Sequence, residues 1–284
     1  MKIEVIPLLE GFLETELTAY FLEPTMDHTF LAERPAVILC PGGAYMGITE
    51  KEAEPVALRF LAAGYHVFVL KYSIGTEVGR FPAPFIDGAR AIKLIRENAK
   101  RWYINKDKIV LCGFSTGGHV AAILSSTWQE AYLSEVLQAD NQLFKPNALI
   151  LGYPLLDMYQ FREKNANKMK SLLEIMFSNI YGTPNPSDMQ LEEWQCKKRV
   201  TQNMPPTFLW TTLEDEVIDV KQSLEFARAL SKNEVAFELH IFEKGAHGLS
   251  LADETVGYDH EEMRKNINAH QWMDMALKWL KPLG

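Results

Sequence analysis

Apolar and polar positions alternate from Lys2 to Leu8 and again from Leu17 to Leu22, the period of a strand with one buried face. Two such runs in succession predict an antiparallel hairpin at a sheet edge. The pattern then changes. Short, nearly unbroken apolar runs recur at Ala36 to Cys40, His66 to Leu70, Lys108 to Cys112, Ala148 to Gly152, Thr207 to Thr211 and Glu238 to Phe242. Between them lie segments with helical spacing, such as Pro55, Val56, Leu58, Phe60 and Leu61, closed by Gly64 at a C-cap position, and Ala89, Ile92, Leu94 and Ile95. Strands alternating with helices predict an α/β fold with a mostly parallel central sheet and helices on both faces. The expected organisation is a single domain spanning residues 1–284.

The segment from about Leu155 to Pro206 breaks this rhythm. It is longer than one crossover, carries Met158, Met169, Met176, Met189 and Met204, and ends in Pro205-Pro206. It predicts a mostly helical lid insertion over the C-terminal edge of the sheet, where open α/β sheets bind ligands. Most of these methionines are expected to pack the insertion; Met176 is the candidate for contact with a substrate.

One apolar run ends in chemistry. Ile109-Val110-Leu111-Cys112 is followed by Gly113-Phe114-Ser115-Thr116-Gly117 and then by the helix-compatible stretch Gly118 to Ala122. A G-x-S-x-G sequence between strand and helix reads as a nucleophile elbow, a turn so tight that side chains at the glycines would meet backbone while the serine is pushed above the sheet. A serine hydroxyl is a poor nucleophile at neutral pH and needs a base, which in turn needs an orienting group. His247, in Lys244-Gly245-Ala246-His247-Gly248 after the last predicted strand, has the glycine-flanked loop that presents an imidazole.

The remaining histidines have other readings. His66 and His240 fall in strand patterns, and His28, His260 and His270 in surface segments. His119, four residues after Ser115, is expected to be buried near the elbow. For the acid, Asp215 lies just beyond the penultimate strand, on the sheet edge from which the His247 loop leaves; Glu214, Glu216 and Asp219 compete by proximity, and Asp157 offers a second position. The chain order Ser, Asp, His favours Asp215. An oxyanion hole is expected from Cys40-Pro41-Gly42-Gly43-Ala44-Tyr45, with Gly43 and Ala44 as donors, together with the backbone N–H of Thr116, whose side chain should matter less than its position.

Charge and composition narrow the partners. The 284 residues carry a formal net charge of -8 and an isoelectric point near 5.5. That balance disfavours nucleic acid, whose phosphates call for a basic footprint. Cys40, Cys112 and Cys196 are too few and too scattered for a disulfide framework or a zinc site. No secretory signal and no bilayer-spanning run are legible, so the cytoplasm is the default expectation.

Taken together, Pro41 to Tyr45, Glu52 to Ala57, Ala62 to Tyr65, Tyr72-Ser73, Gly113 to His119 and Lys244 to Gly248 resemble the α/β-hydrolase superfamily, and within it the small bacterial acetyl-esterase and acetyl-xylan-esterase-like group. The resemblance implies a Ser115, His247, Asp215 triad acting on short acyl esters, acetyl groups on carbohydrate among them, with no metal or organic cofactor. It implies a small-molecule ester as partner, with neither nucleic acid nor membrane; a homo-oligomer is compatible with it. Two positions depart from the group: Ala44 stands where a third glycine is usual, which suits an alanine only if φ there is negative, and Thr116 where alanine is usual. Tyr45 is placed either in the substrate pocket or packed under the lid. A peptidase or amidase of the same fold, or a catalytically silent binding relative, are the competing readings.

Overall fold

The computed structural model describes residues 1–9, 12–23, 33–257 and 268–283. Among them, eight strands form one sheet: β1 (Lys2–Leu9), β2 (Phe12–Phe21), β3 (Arg34–Cys40), β4 (His66–Lys71), β5 (Ile104–Phe114), β6 (Ala148–Gly152), β7 (Thr207–Thr212) and β8 (Phe237–Phe242), in the order β1-β2-β4-β3-β5-β6-β7-β8. β1 pairs antiparallel with β2, and β2 antiparallel with β4; every other pairing is parallel. The hairpin therefore sits at the edge, as its alternation predicts.

Successive side chains of a strand point to opposite faces, and the two cores follow that rule. Ala36, Ile38 and Cys40 of β3, Phe68 and Leu70 of β4, and Ile109 and Leu111 of β5 enter one core. The alternate residues Val37, Leu39, Val67, Val69, Val110 and Cys112 enter the other. The first core is closed by α2 (Ala83–Glu97) and α3 (Ser115–Thr127), the second by α1 (Glu54–Ala62) and the last described helix, α10 (Trp272–Leu280). In α10 the residues Trp272, Met273, Ala276 and Leu280 are buried, one stripe of the helix, with Trp272 stacked on Trp210 at 5.2 Å between ring centroids. β5 begins four residues earlier than its apolar run, because Ile104 pairs with Arg34 before a register shift that brings Ile109 opposite Ala36.

From β3 the chain moves to β4 on one side and then crosses to β5 on the other. The loops leaving β3 and β5 diverge at that crossover, which opens a crevice at the strands' C-terminal ends. Over it lies the 155–206 segment, holding α5 (Met158–Asn165), α6 (Lys170–Tyr181), α7 (Asp188–Glu193) and α8 (Cys196–Arg199). Helices α4 (Ala131–Leu137) and α9 (Val220–Lys232) complete the described set.

The insertion is fastened to the domain by polar contacts. Asn179 Nδ2 donates to Tyr45 O (2.8 Å), His119 Nε2 donates to Trp194 O (2.9 Å), the Leu156 N–H donates to Gln222 Oε1 (2.8 Å), and Lys197 meets Glu225 at 2.6 Å. Of its methionines, Met158, Met176 and Met204 are buried, whereas Met189 is 82% exposed. Among the described residues, no helix is long and apolar enough to cross a membrane.

Candidate active site

The elbow is built by close backbone approach. A Cβ on Gly117 would stand 1.9 Å from Cys40 O, and one on Gly113 would stand 2.4 Å from Gly117 O. Only glycine fits there, and Ser115 between them is held at φ 51°. That left-handed conformation costs a serine on the order of 1–3 kcal/mol, stored by the surrounding fold.

Ser115 Oγ lies 2.9 Å from His247 Nε2, and His247 Nδ1 lies 2.7 Å from Asp215 Oδ2. An ionised carboxylate can only accept, so Nδ1 carries the proton and Nε2 faces the serine hydroxyl with its lone pair. Asp215 is fixed in turn: its Oδ1 accepts the N–H groups of Val217 (2.9 Å) and Ile218 (2.8 Å). The three residues are 100 and 32 positions apart in sequence, and the parallel neighbours β5, β6, β7 and β8 bring their loops to one edge.

The competing carboxylates are placed elsewhere. Glu214 pairs with Lys244 at 2.8 Å and Glu216 is exposed. Asp219 caps α9, accepting the Lys221 N–H. Asp157 caps α5 and holds Lys197 and Gln195, a network joining the two ends of the insertion.

The other histidines also divide. His270 is exposed, and His28 and His260 lie outside the described residues. His240 faces Glu238 at 3.1 Å. His66 is buried and accepts the Leu22 N–H at Nδ1; burial, with Arg34 adding to it, lowers its pKa to about 4. His119 is buried beneath the elbow. Its Nε2 donates to Trp194 O (2.9 Å) and its Nδ1 accepts from the Tyr45 hydroxyl (2.7 Å); burial lowers its pKa to about 4 as well.

The loop after β3 bears on four expectations. Ala44 has φ 55° and Tyr45 φ 54°, so the position does take positive φ and the alanine occupies it, at a cost of about 1–2 kcal/mol by the usual steric argument. The Ala44 N–H is not available as an oxyanion donor, because it donates to Thr116 Oγ1 at 3.1 Å. The Thr116 side chain therefore has its own part in shaping the loop. Tyr45 does not line the cavity: it is fully buried against Tyr72, Phe81 and His119. Gly43, at φ 139° with its O turned to the N–H groups of Met46 and Gly47, leaves its own N–H unpaired among the described residues. The Thr116 N–H lies in the first turn of α3, where helical acceptors are lacking.

A cavity of about 300 Å³ opens beside Ser115 and His247. Gly43, Ala44 and Thr116 border it, Leu155, Phe161, Leu172, Met176 and Ile218 give it an apolar wall, and Thr49, Lys51 and Glu52 a polar one. Glu52 was not singled out from the sequence. It is 2% exposed, accepts the Gly42 N–H at Oε2 (2.6 Å) and the Tyr153 hydroxyl at Oε1 (2.7 Å), and burial raises its pKa.

Fold and structural likeness together place the chain among the α/β-hydrolases. More narrowly, the chain belongs to the BD-FAE family, whose model matches residues 25–230. It is 32% identical over 229 residues to an endo-1,4-beta-xylanase B from Butyrivibrio fibrisolvens, covering 80% of this chain and 34% of that protein. It is 26% identical to an acetylxylan esterase from Xylanibacter ruminicola over 78% of this chain and 43% of the relative, so it spans about a third to under a half of these curated relatives. Among solved structures, a carboxylesterase from Lactobacillus plantarum superposes with a TM-score of 0.84 at 28% identity, covering 99% of this chain and 98% of that one. An acetyl ester-xyloside bifunctional hydrolase from Caldicellulosiruptor lactoaceticus superposes at 0.79 with 29% identity, covering 99% and 96%.

Proposed function

We propose that the chain is a serine esterase that removes short acyl groups, acetyl foremost, from carbohydrate esters through an acyl-enzyme. The observation that carries this reading is the hydrogen-bonded line from Ser115 Oγ through His247 to Asp215 Oδ2. Ser115 Oγ attacks the ester carbonyl as its proton passes to His247 Nε2. Asp215 holds the imidazolium in the orientation that lets it deliver that proton to the leaving alcohol. Water then attacks the acyl-serine with the same imidazole as base, returning the serine and releasing the acid. The Gly43 and Thr116 N–H groups receive the charge that develops on the carbonyl oxygen.

The apolar wall of the cavity suits an acyl chain, and Thr49 and Lys51 suit the hydroxyls of the alcohol portion. The names of the xylan-related relatives support a carbohydrate acetyl ester as substrate. The test is hydrolysis of p-nitrophenyl acetate and of acetylated xylose, with a fluorophosphonate probe reporting on Ser115. Turnover of both esters and a Ser115 adduct are expected. Turnover of amino-acid anilides in place of acetate esters would overturn the reading in favour of an amidase, and an inert, unlabelled serine would leave a binding protein.

A further inference from the structure

Two loops must hold register for the hydrolysis proposed above: the one after β3, which carries Gly43, and the one after β8, which carries His247. A single buried carboxylate lies between them. Glu52 Oε2 accepts the Gly42 N–H at 2.6 Å, one residue before the donor Gly43. Its Oε1 accepts the Tyr153 hydroxyl at 2.7 Å, and that hydroxyl accepts the Ser250 N–H at 2.8 Å, three residues after His247.

The neighbours leave little slack. A Cβ on Gly42 would stand 2.9 Å from Glu52 Oε2 and 2.9 Å from Ser115 Cβ, so Gly42 is clasped between carboxylate and nucleophile. The Tyr153 ring meets the His247 ring edge-on at 5.2 Å between centroids. Trp272 Nε1 donates to Ser250 O at 2.8 Å, closing the far end of the line.

We propose that Glu52 is a positioning residue of the hydrolytic site, tying the oxyanion loop through Gly42 to the histidine loop through Tyr153 and Ser250, so that donors and base keep one register. The proposal rests on the esterase reading above. Both carboxylate oxygens receive donors, which an amide at this position cannot match, since it offers one acceptor oxygen and turns its NH2 toward the second donor. Burial raises the carboxyl's pKa, while the Tyr153 and Gly42 hydrogen bonds and the nearby His247 act in the opposite direction and favour the ionised form. Glu52 touches no reacting atom in this scheme; it acts through Gly42 and Tyr153.

The test is a double-mutant cycle in the full chain on p-nitrophenyl acetate, with Glu52→Gln, Tyr153→Phe and the pair. Thermal midpoints and fluorophosphonate labelling are followed alongside. Each single change is expected to lower kcat about tenfold or more with KM within about threefold, and the pair to be no worse than the weaker single enzyme, because groups that act as one unit lose their effect once. Fully multiplicative losses would overturn the assignment, as would kcat unchanged in folded Glu52→Gln. Should Glu52→Gln fail to fold, an unchanged kcat in Tyr153→Phe would overturn it equally. A wild-type chain that neither turns over esters nor takes the probe would remove the esterase reading and this proposal together, whereas an active wild type with an indifferent Glu52 removes the proposal alone.

Discussion

The N–H of Ala44 donates to the hydroxyl oxygen of Thr116 across 3.1 Å, joining the loop after β3 to the first turn of the elbow helix. Thr116→Val keeps the shape and removes the acceptor, which leaves a partly buried N–H unpaired at a cost of about 1–3 kcal/mol. The expected result is a fall in kcat/KM of about tenfold, less than the hundredfold or more that follows loss of an oxyanion donor itself. Thr116→Ser, which keeps the hydroxyl, should stay within about twofold of the parent. Steady-state kinetics on p-nitrophenyl acetate distinguish the two.

Asp215 and Asp157 are both buried acids at the sheet's C-terminal edge, yet only Asp215 meets His247. Asp215→Asn should lower kcat on the order of 10³–10⁴-fold, since an amide no longer fixes the imidazole in the tautomer that faces Ser115. Asp157→Asn weakens the contact with Lys197 and should lower the thermal midpoint while leaving kcat within about threefold. Equal losses of kcat in the two variants would contradict the division of roles.

Met176 is fully buried and borders the cavity beside Leu172 and Phe161. Met176→Ala should cost about 2–5 kcal/mol of stability and enlarge the acyl side of the cavity. The ratio of octanoyl to acetyl ester turnover should then rise. An unchanged ratio, measured on p-nitrophenyl esters at a temperature where the variant is folded, would remove Met176 from the acyl site.

His66 and His119 stay neutral in the folded chain down to a pKa of about 4, against about 6.5 for an exposed imidazole. Between those values the unfolded chain binds protons that the folded chain does not. Stability is therefore complete above pH 6.5 and declines as pH falls toward 4, by on the order of 3 kcal/mol for each histidine. Glu52 and Asp87, whose carboxyl pKa values burial raises, act in the other direction, so the comparison must be made within single variants. Urea unfolding of His119→Gln should show a shallower decline over this pH range than the parent.

Much of this architecture can be read from local pattern. The strands announce themselves because each side of the sheet is buried, and the elbow because its glycines answer to a backbone approach that no other residue survives. The meeting of Asp215 with His247 follows from loops that leave adjacent parallel strands at one edge. Glu52 is different: in Glu50-Lys51-Glu52-Ala53-Glu54 it looks like one more solvated charge, and its burial depends on Gly42 and Tyr153, which lie 10 and 101 residues away. The bond between Ala44 and Thr116 spans 72 residues and sets a φ that no spacing rule reports. The early start of β5 is hidden for a similar reason, since Asn105 to Lys108 are polar and lie in the register shift between the Ile104–Arg34 and Ile109–Ala36 pairs.

The insertion is pinned near its start by Leu156 on Gln222, near its middle by Asn179 on Tyr45, and near its far end by Trp194 on His119 and Lys197 on Glu225. A cover fastened in this way is expected to act as a fixed roof, so that on the esterase reading the substrate enters through a standing doorway instead of waiting for a flap to swing at an oil–water boundary. Interfacial activation is then not expected. The rate on a sparingly soluble ester should follow an ordinary saturation curve through the solubility limit, with no jump where droplets form.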